Sequence, residues 1–343
     1  MNNNLDVENK LNIDSDKIIN ELSIKETELL YDQILKRKPY LWESQCLIYY
    51  TSSTACSKKD LIEKLKNPET RKKLQQDYLR TQGFFFPDEK CSYKRIDGNL
   101  IYFDANDIVL YELFAPVKIY EEFTVNLLKS KLKKGMNVIN VGANVGYLTL
   151  ASAREVGDSG IVFAFEPFPK TVEFLTKNVK INNFDNIKII PKAVSNKTGK
   201  TTILHTLSSV WHSLSQKETP GFKRIEIEQI SLDEFLKDNP ISIDFIIIDA
   251  EGSETNIFRG MKETIRKNPN LQIIVEYNPL TLEFVGSNGK EFLDIILDLG
   301  FKTYVIDEHK KTLNPMEKNQ IIEKFPKNTW TNLFLTRINM SQV

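Results

Sequence analysis

Three short segments combine glycine with amide or acidic side chains in the way small-molecule chemistry requires. The first is Asn140-Val141-Gly142-Ala143-Asn144-Val145-Gly146. Gly142 and Gly146 let the backbone pass close to a ligand, and the helix that should follow offers free N–H groups at its start. The spacing G-x-x-x-G lacks the third glycine of a G-x-G-x-x-G turn, and no Lys-Ser/Thr pair follows as in a phosphate loop. A pyrophosphate is therefore disfavoured. A cofactor bearing an amino acid suits a shorter glycine turn flanked by Asn140 and Asn144, although a turn that needs glycine for packing alone has the same spelling.

The second segment is Glu166-Pro167-Phe168, 24 residues after Gly142. An acid at this distance in a strand–helix–strand unit reaches the hydroxyls of a ribose, and Phe168 could cover an adenine face. Glu166 would equally suit the positive end of a helix. The third segment, Asp249-Ala250-Glu251-Gly252-Ser253-Glu254, places three carboxylates within six residues after an apolar run. Desolvating them is costly unless they are paired or used. Asp249 and Glu251 are candidates for orienting the cofactor's amino group, holding the substrate, acting as general base or binding a divalent metal, while Glu254 could cap the next helix. Glu276, in VEYNP, is a further strand-end acid. His212 is the histidine best placed to take a hydroxyl proton, since it lies in a segment expected to overhang the pocket; His205 and His309 have weaker claims.

These groups need a scaffold that brings strand ends together. From residue 120 the pattern alternates regularly: helix 120–133, strand 137–141, helix 147–156, strand 161–165, helix 169–181 and strand 187–193. After an antiparallel-looking excursion through TTILHTL, Trp211, His212 and IEIEQI come helix 231–238, opened by Ser231 and Glu234 as a capping box, then strand 243–248 and helix 254–267. Strand 271–276, helix 289–299, strand 301–306 and a strand at 332–336 complete the series. Such alternation demands right-handed crossovers, hence a doubly wound, mainly parallel α/β sheet of seven strands, Rossmann-like, with an antiparallel pair at its end. The runs VINV, IVFAF, IKII, FIII and QIIVE are apolar throughout, as strands covered on both faces should be.

Residues 1–119 read differently, as an α+β extension to the catalytic domain at 120–343. A helix capped at Asp14 or Ser15 should run to Lys38, and another from Lys58 to about Leu79, followed by a hairpin at Asp97-Gly98. Its aromatics, Trp42, Tyr49, Tyr50, Phe84, Phe85 and Phe86, suit a small core, and its role as lid, dimerisation arm or recognition module stays open.

Composition bounds the partners. Of 343 residues, 41% are hydrophobic and 27% charged, with Lys+Arg 46 balancing Asp+Glu 46. A formal net charge of zero offers no broad field for nucleic acid or anionic membrane, so a small-molecule or peptide substrate is expected. Cys46, Cys56 and Cys91 form no CxxC and read as reduced thiols. The polar, acidic start has no secretory pattern, and no apolar run reaches membrane length, which together suggest a cytoplasmic protein.

VINVGANVGYLTL, then FAFEPFP with LTKN, KAVSN, SLDEF, IDFIIIDAEGSE and IIVEYNP, resemble the FkbM family of S-adenosylmethionine-dependent methyltransferases over roughly residues 120–310. The resemblance implies the class I methyltransferase fold and S-adenosylmethionine as methyl donor. By position, Gly142, Ala143 and Asn144 would hold the methionine portion, Glu166 the ribose, and Ala193 would lie near the adenine. Asp249 and Glu251 match the DxEGxE segment at the mouth of the active site. FkbM-like enzymes are usually O-methyltransferases of sugars, polyketides or related metabolites, with some relatives that modify peptide side chains. One departure is Asn140, where the family usually has Asp; the lost charge would weaken cofactor binding.

Overall fold

The computed structural model describes residues 18–19, 22–54, 56–88, 90–114, 120–205, 208–209, 214 and 223–338. The chain divides into two compact units, Met1–Arg95 with Asp104–Lys118, and Ile96–Phe103 with Ile119–Val343.

In the first unit the helices start where local capping is strongest. Ser23 caps helix Ile24–Leu35 through a reciprocal box with Glu26, and Ile18–Ile19 pairs as a short strand with Cys56–Ser57. The expected helix therefore begins later than Ser15, and Asp14 and Ser15 themselves lie outside the described residues. The single helix expected over 58–79 is two, Lys58–Lys66 and Pro68–Thr81. Pro68 cannot donate into a continuing helix, and Asn67 restarts it by accepting the N–H groups of Glu69 and Thr70. Leu30, Tyr31, Leu47, Leu61, Leu65 and Phe84 form the buried interior, whereas Tyr49 and Phe85 are exposed. Cys46, Cys56 and Cys91 are buried and form no disulfide with one another.

The second unit is built on an eight-stranded sheet. Its strands are β1 Asn137–Val141, β2 Ile161–Phe165, β3 Ile187–Ile190, β4 Phe245–Ile248, β5 Gln272–Tyr277, β6 Lys302–Asp307, β7 Thr312–Pro315 and β8 Thr331–Thr336. They lie in the order β7-β6-β8-β5-β4-β1-β2-β3. Pairing from β3 across to β5 is parallel, and β8 enters antiparallel between β5 and β6. This is the expected doubly wound, mainly parallel α/β architecture, with β7 added to the expected seven strands as an edge hairpin. Winding runs outward from β1 to β3 and then resumes on the other side of β1 at β4, so the switch point lies between β1 and β4.

Two other differences have local causes. The expected strand 187–193 is cut at Pro191, beyond which Ala193–Val194 joins a separate three-stranded sheet with Gly199–His205 and Lys223–Ile230. This is the antiparallel excursion. Helix 254–267 is two turns of helix, Glu254–Arg259 and Lys262–Lys267, broken where Gly260 approaches the Ser195 carbonyl too closely for a side chain.

Residues 96–103 are tied to this unit by two asparagines one helical turn apart. On helix Pro169–Ile181 and at its end, Asn178 exchanges hydrogen bonds with the N–H and C=O of Tyr102 at 2.7 and 2.8 Å, and Asn182 does the same with Leu100 at 2.8 and 2.8 Å. The two amides thus imitate a neighbouring strand. Asn178→Ala should cost about 2–3 kcal/mol in urea unfolding because it strands buried backbone groups, and hydrogen exchange at the Tyr102 amide should accelerate. No helix among the described residues is long and apolar enough to cross a membrane.

Candidate active site

Strand register assembles the site. Val141 of β1 is level with Phe165 of β2 and with Ile248 of β4, and Ile248 is level with Val275 of β5. The next residue on each strand is Gly142, Glu166, Asp249 and Glu276. Four segments scattered over 135 positions of sequence thus end side by side at the switch point.

Gly142 has φ +78°, and a Cβ there would fall 1.7 Å from the Asp249 carbonyl oxygen. Its N–H and that of Ala143 donate to the Phe165 carbonyl at 3.0 and 2.9 Å. Asn144 is left-handed at φ 48°, which aims its N–H at Glu166 Oε2, 2.9 Å away. Glu166 Oε1 accepts the Phe168 N–H at 2.9 Å. Glu166 is only 6% exposed, and burial pushes its carboxyl up to about 7 against the pull of those two donors. Each oxygen keeps a lone pair for a further donor.

The Asp249-to-Glu254 segment separates into roles. Glu254, 1% exposed, turns back to accept the Ala250 N–H at 3.0 Å and holds the loop; burial raises its carboxyl to about 7. Glu251 sits at φ 48°, raised by burial and by Asp249 and Glu254. Asp249 opens to the cleft, and desolvation by the surrounding protein raises its carboxyl. Glu276 is raised by burial and then by Asp249 and Glu251.

A cleft lies over these strand ends. Gly142, Asn144, Glu166, Ala193, Asp249 and Glu251 line it. The other cofactor candidates support it from behind. Ala143 packs with Ala164 and Leu175, and a Cβ on Gly146 would meet Leu175 at 2.7 Å. Phe168 packs with Ala193, Ile203 and Ile227, so its ring belongs to the excursion's core and its N–H positions Glu166; the apolar wall of the cleft is Pro167, Ile203 and Leu214. His212 lies outside the described residues. Sequence reading passed over Ser253, whose buried hydroxyl lines the cleft without a protein partner, because one serine among three acids carries no signal.

Asn140 is also behind the cleft. Its Nδ2 donates to Thr149 Oγ1 at 2.8 Å, joining β1 to helix Tyr147–Val156. The amide therefore spares the fold a buried charge, and the affinity penalty expected from the missing Asp loses its basis. Asn140→Asp should leave S-adenosylmethionine affinity within about threefold while lowering the melting temperature; calorimetry and thermal melts separate the two effects.

The residues present fit S-adenosylmethionine. Gly142 provides a cradle that any side chain would fill, Glu166 has acceptor capacity for a diol, and Ser253 holds an unused hydroxyl. Among the described residues no group of three or more His, Cys, Asp or Glu is arranged to hold a metal ion.

Comparison with known proteins agrees with this geometry. Residues 140–303 match the methyltransferase FkbM domain, and residues 57–194 match the model of protein-L-isoaspartate(D-aspartate) O-methyltransferase. A protein-L-isoaspartate O-methyltransferase of Methanothrix thermoacetophila is 36% identical over 59 residues, 17% of this chain and 28% of that protein. Protein-L-isoaspartate O-methyltransferase 1 of Arabidopsis thaliana is 31% identical over 84 residues, 24% and 36% of the two chains. The chain thus spans about a third of the length of the curated relatives it matches. Among solved structures, a SAM-dependent methyltransferase from Aquifex aeolicus aligns at TM-score 0.38 and 15% identity, covering 68% of this chain and 95% of that one. A precorrin-6y C5,15-methyltransferase from Geobacter metallireducens aligns at TM-score 0.37 and 14% identity, covering 64% and 89%. The glycine turn, the acid after β2 and the DxEGxE loop thus meet on one cleft inside the segment, residues 140–303, that is similar to the methyltransferase FkbM domain.

Proposed function

We propose that this chain methylates a hydroxyl of a small, uncharged metabolite such as a sugar, a polyketide or a related natural product. The observation that supports this is the in-register convergence of Gly142, Glu166 and Asp249 on one cleft. Gly142 and Asn144 would hold the amino-acid end of S-adenosylmethionine, Glu166 its ribose, and Ala193, Pro167, Ile203 and Leu214 its base. When bound, the donor supplies an activated methyl group on a sulfonium. The protein's own contribution is mainly orientation, which can remove several kcal/mol from such a barrier. Asp249 and Glu251 line the same cleft.

The partial match to protein-L-isoaspartate methyltransferases favours a second reading, a peptide or protein acceptor. Methyl-labelled S-adenosylmethionine, offered with a metabolite extract in one arm and an isoaspartyl peptide in the other, separates the two by mass shift. Calorimetric binding of the donor with no labelled product in either arm would instead leave a catalytically silent binding module, and absence of donor binding would refute the proposal.

A further inference from the structure

Ser253 carries a hydroxyl that the fold leaves unused. The residue is 2% exposed and lines the cleft, and its Oγ is buried with no hydrogen-bond partner among the described residues. A buried hydroxyl left unpaired is a standing cost, and one kept at a cleft points to a partner that arrives from outside.

The chain around it explains why no internal partner serves. Ser253 precedes helix Glu254–Arg259, where a serine usually accepts an N–H of the first turn. Its backbone is helical at φ −81°, ψ −2° rather than extended, and no capping bond forms. The neighbouring groups are already engaged. Glu254 accepts the Ala250 N–H at 3.0 Å and the Gly252 N–H. The Ser253 N–H donates to the Ala250 carbonyl at 3.1 Å, and its own carbonyl accepts the Ile257 N–H at 3.0 Å. Gly252 fixes the place of the loop, since its Cα passes so close to Thr281 that a Cβ would lie 2.1 Å from that carbonyl oxygen. Only the side chain of Ser253 is left over, and it turns on one bond, so an entering ligand can draw it out at little entropic cost.

The company of Ser253 in the cleft narrows the ligand. Ala193, Pro167, Ile203 and Leu214 form an apolar wall suited to the faces of a flat base. The ring nitrogens at the edge of an adenine are acceptors and need a donor. Asp249, Glu251 and Glu166 only accept when ionised. Lys192, also on the cleft, is paired with Glu228 at 2.8 Å. Ser253 has its hydroxyl proton to give.

We propose that Ser253 recognises the base of the methyl donor, its Oγ–H donating to a ring nitrogen of the adenine. The inference rests on the methyl-transfer reading above and adds a base-reading residue to it.

The test uses S-adenosylhomocysteine, which carries the same base without the sulfonium charge, together with its 1-deaza, 3-deaza and 7-deaza analogues. Each lacks one ring nitrogen. Binding to the full chain is measured by calorimetry for wild type and Ser253→Ala. The variant should bind S-adenosylhomocysteine about tenfold more weakly than wild type. One analogue should be about tenfold weaker than S-adenosylhomocysteine on wild type, and no weaker than it on Ser253→Ala, where the donor is already gone. Because the hydroxyl bonds nothing in the free protein, the ligand-free melting temperature of Ser253→Ala should equal or exceed that of wild type. A fall of more than about 2 °C would assign the hydroxyl to the fold and overturn the proposal. Analogue losses that are the same in wild type and variant overturn it as well. Equal binding of S-adenosylhomocysteine by the two proteins sinks this proposal and leaves the methyl-transfer reading standing, whereas no binding by wild type removes both.

Discussion

Gly142→Ala is expected to weaken S-adenosylmethionine binding by at least about 100-fold, equivalent to about 2.7 kcal/mol, and to lower the melting temperature. The added Cβ would lie 1.7 Å from the Asp249 carbonyl oxygen and 2.8 Å from its carbon. Both are backbone atoms and cannot rotate aside. Relief requires β1 and β4 to part, which breaks the bond from the Asp249 N–H to the Val141 carbonyl, 3.0 Å long, and pulls the two walls of the cleft out of line. The positive φ adds strain of its own, and Gly286 isolates that part: its φ is +86° and a Cβ there meets nothing within 4 Å. Gly286→Ala should therefore cost about 1 kcal/mol of stability and leave binding intact. Equal binding losses in the two variants, by calorimetry, would show that the close approach of β1 and β4 is not what shapes the cleft.

The ligand-free protein should lose stability as pH rises from about 5 to about 8, the reverse of a protein held by paired carboxylates. Burial raises Glu166 and Glu254 to about 7 and Glu121 to about 8. A folded-state carboxyl above its unfolded value binds its proton more tightly in the native state. Its contribution is therefore complete below the unfolded value, about 4.5, and is lost as pH climbs through the folded value. Asp249, Glu251 and Glu276 are raised in the same direction and add to the fall, and the chain has only three histidines to oppose it. The melting midpoint should fall by at least about 5 °C between pH 5 and pH 8. Glu166→Gln should shrink the part of the fall below pH 7, and cationic S-adenosylmethionine should stabilise more at pH 8 than at pH 5. A midpoint that rises over this range in the free protein would mean that the acids are charged and compensated in the fold.

The apolar runs and glycine turns of residues 137–306 made most of the second unit legible, because strands buried on both faces are written as near-continuous Val, Ile and Phe. Errors collected where a single residue interrupts a period, as at Pro68, Pro191 and Gly260. There a missing N–H or a close backbone approach outweighs the surrounding propensity. Within the site, Gly142, Asn144, Glu166, Ala193, Asp249 and Glu251 were legible because each directly follows or lies near a strand end. Phe168 and Asn140 were assigned to the cofactor from spacing alone, and spacing does not say which way a side chain turns. Phe168 faces the core of the small sheet and Asn140 faces Thr149.

Alternation of strand and helix, the apolar character of the strands and the residue types at their ends are local properties, and the sequence by itself determined them. Register between strands, direction of side chains and company of charges are not local. Only the tertiary structure set Val141 level with Phe165 and Ile248, turned Glu254 back into its own loop, and moved the cap of helix Glu122–Lys131 to Glu308, 187 residues beyond Glu121. The physical reason is that a carboxylate reads the same in sequence whether it caps a helix, clamps a loop or faces a ligand. Its role follows from which donors, acids and water surround it once the chain is folded.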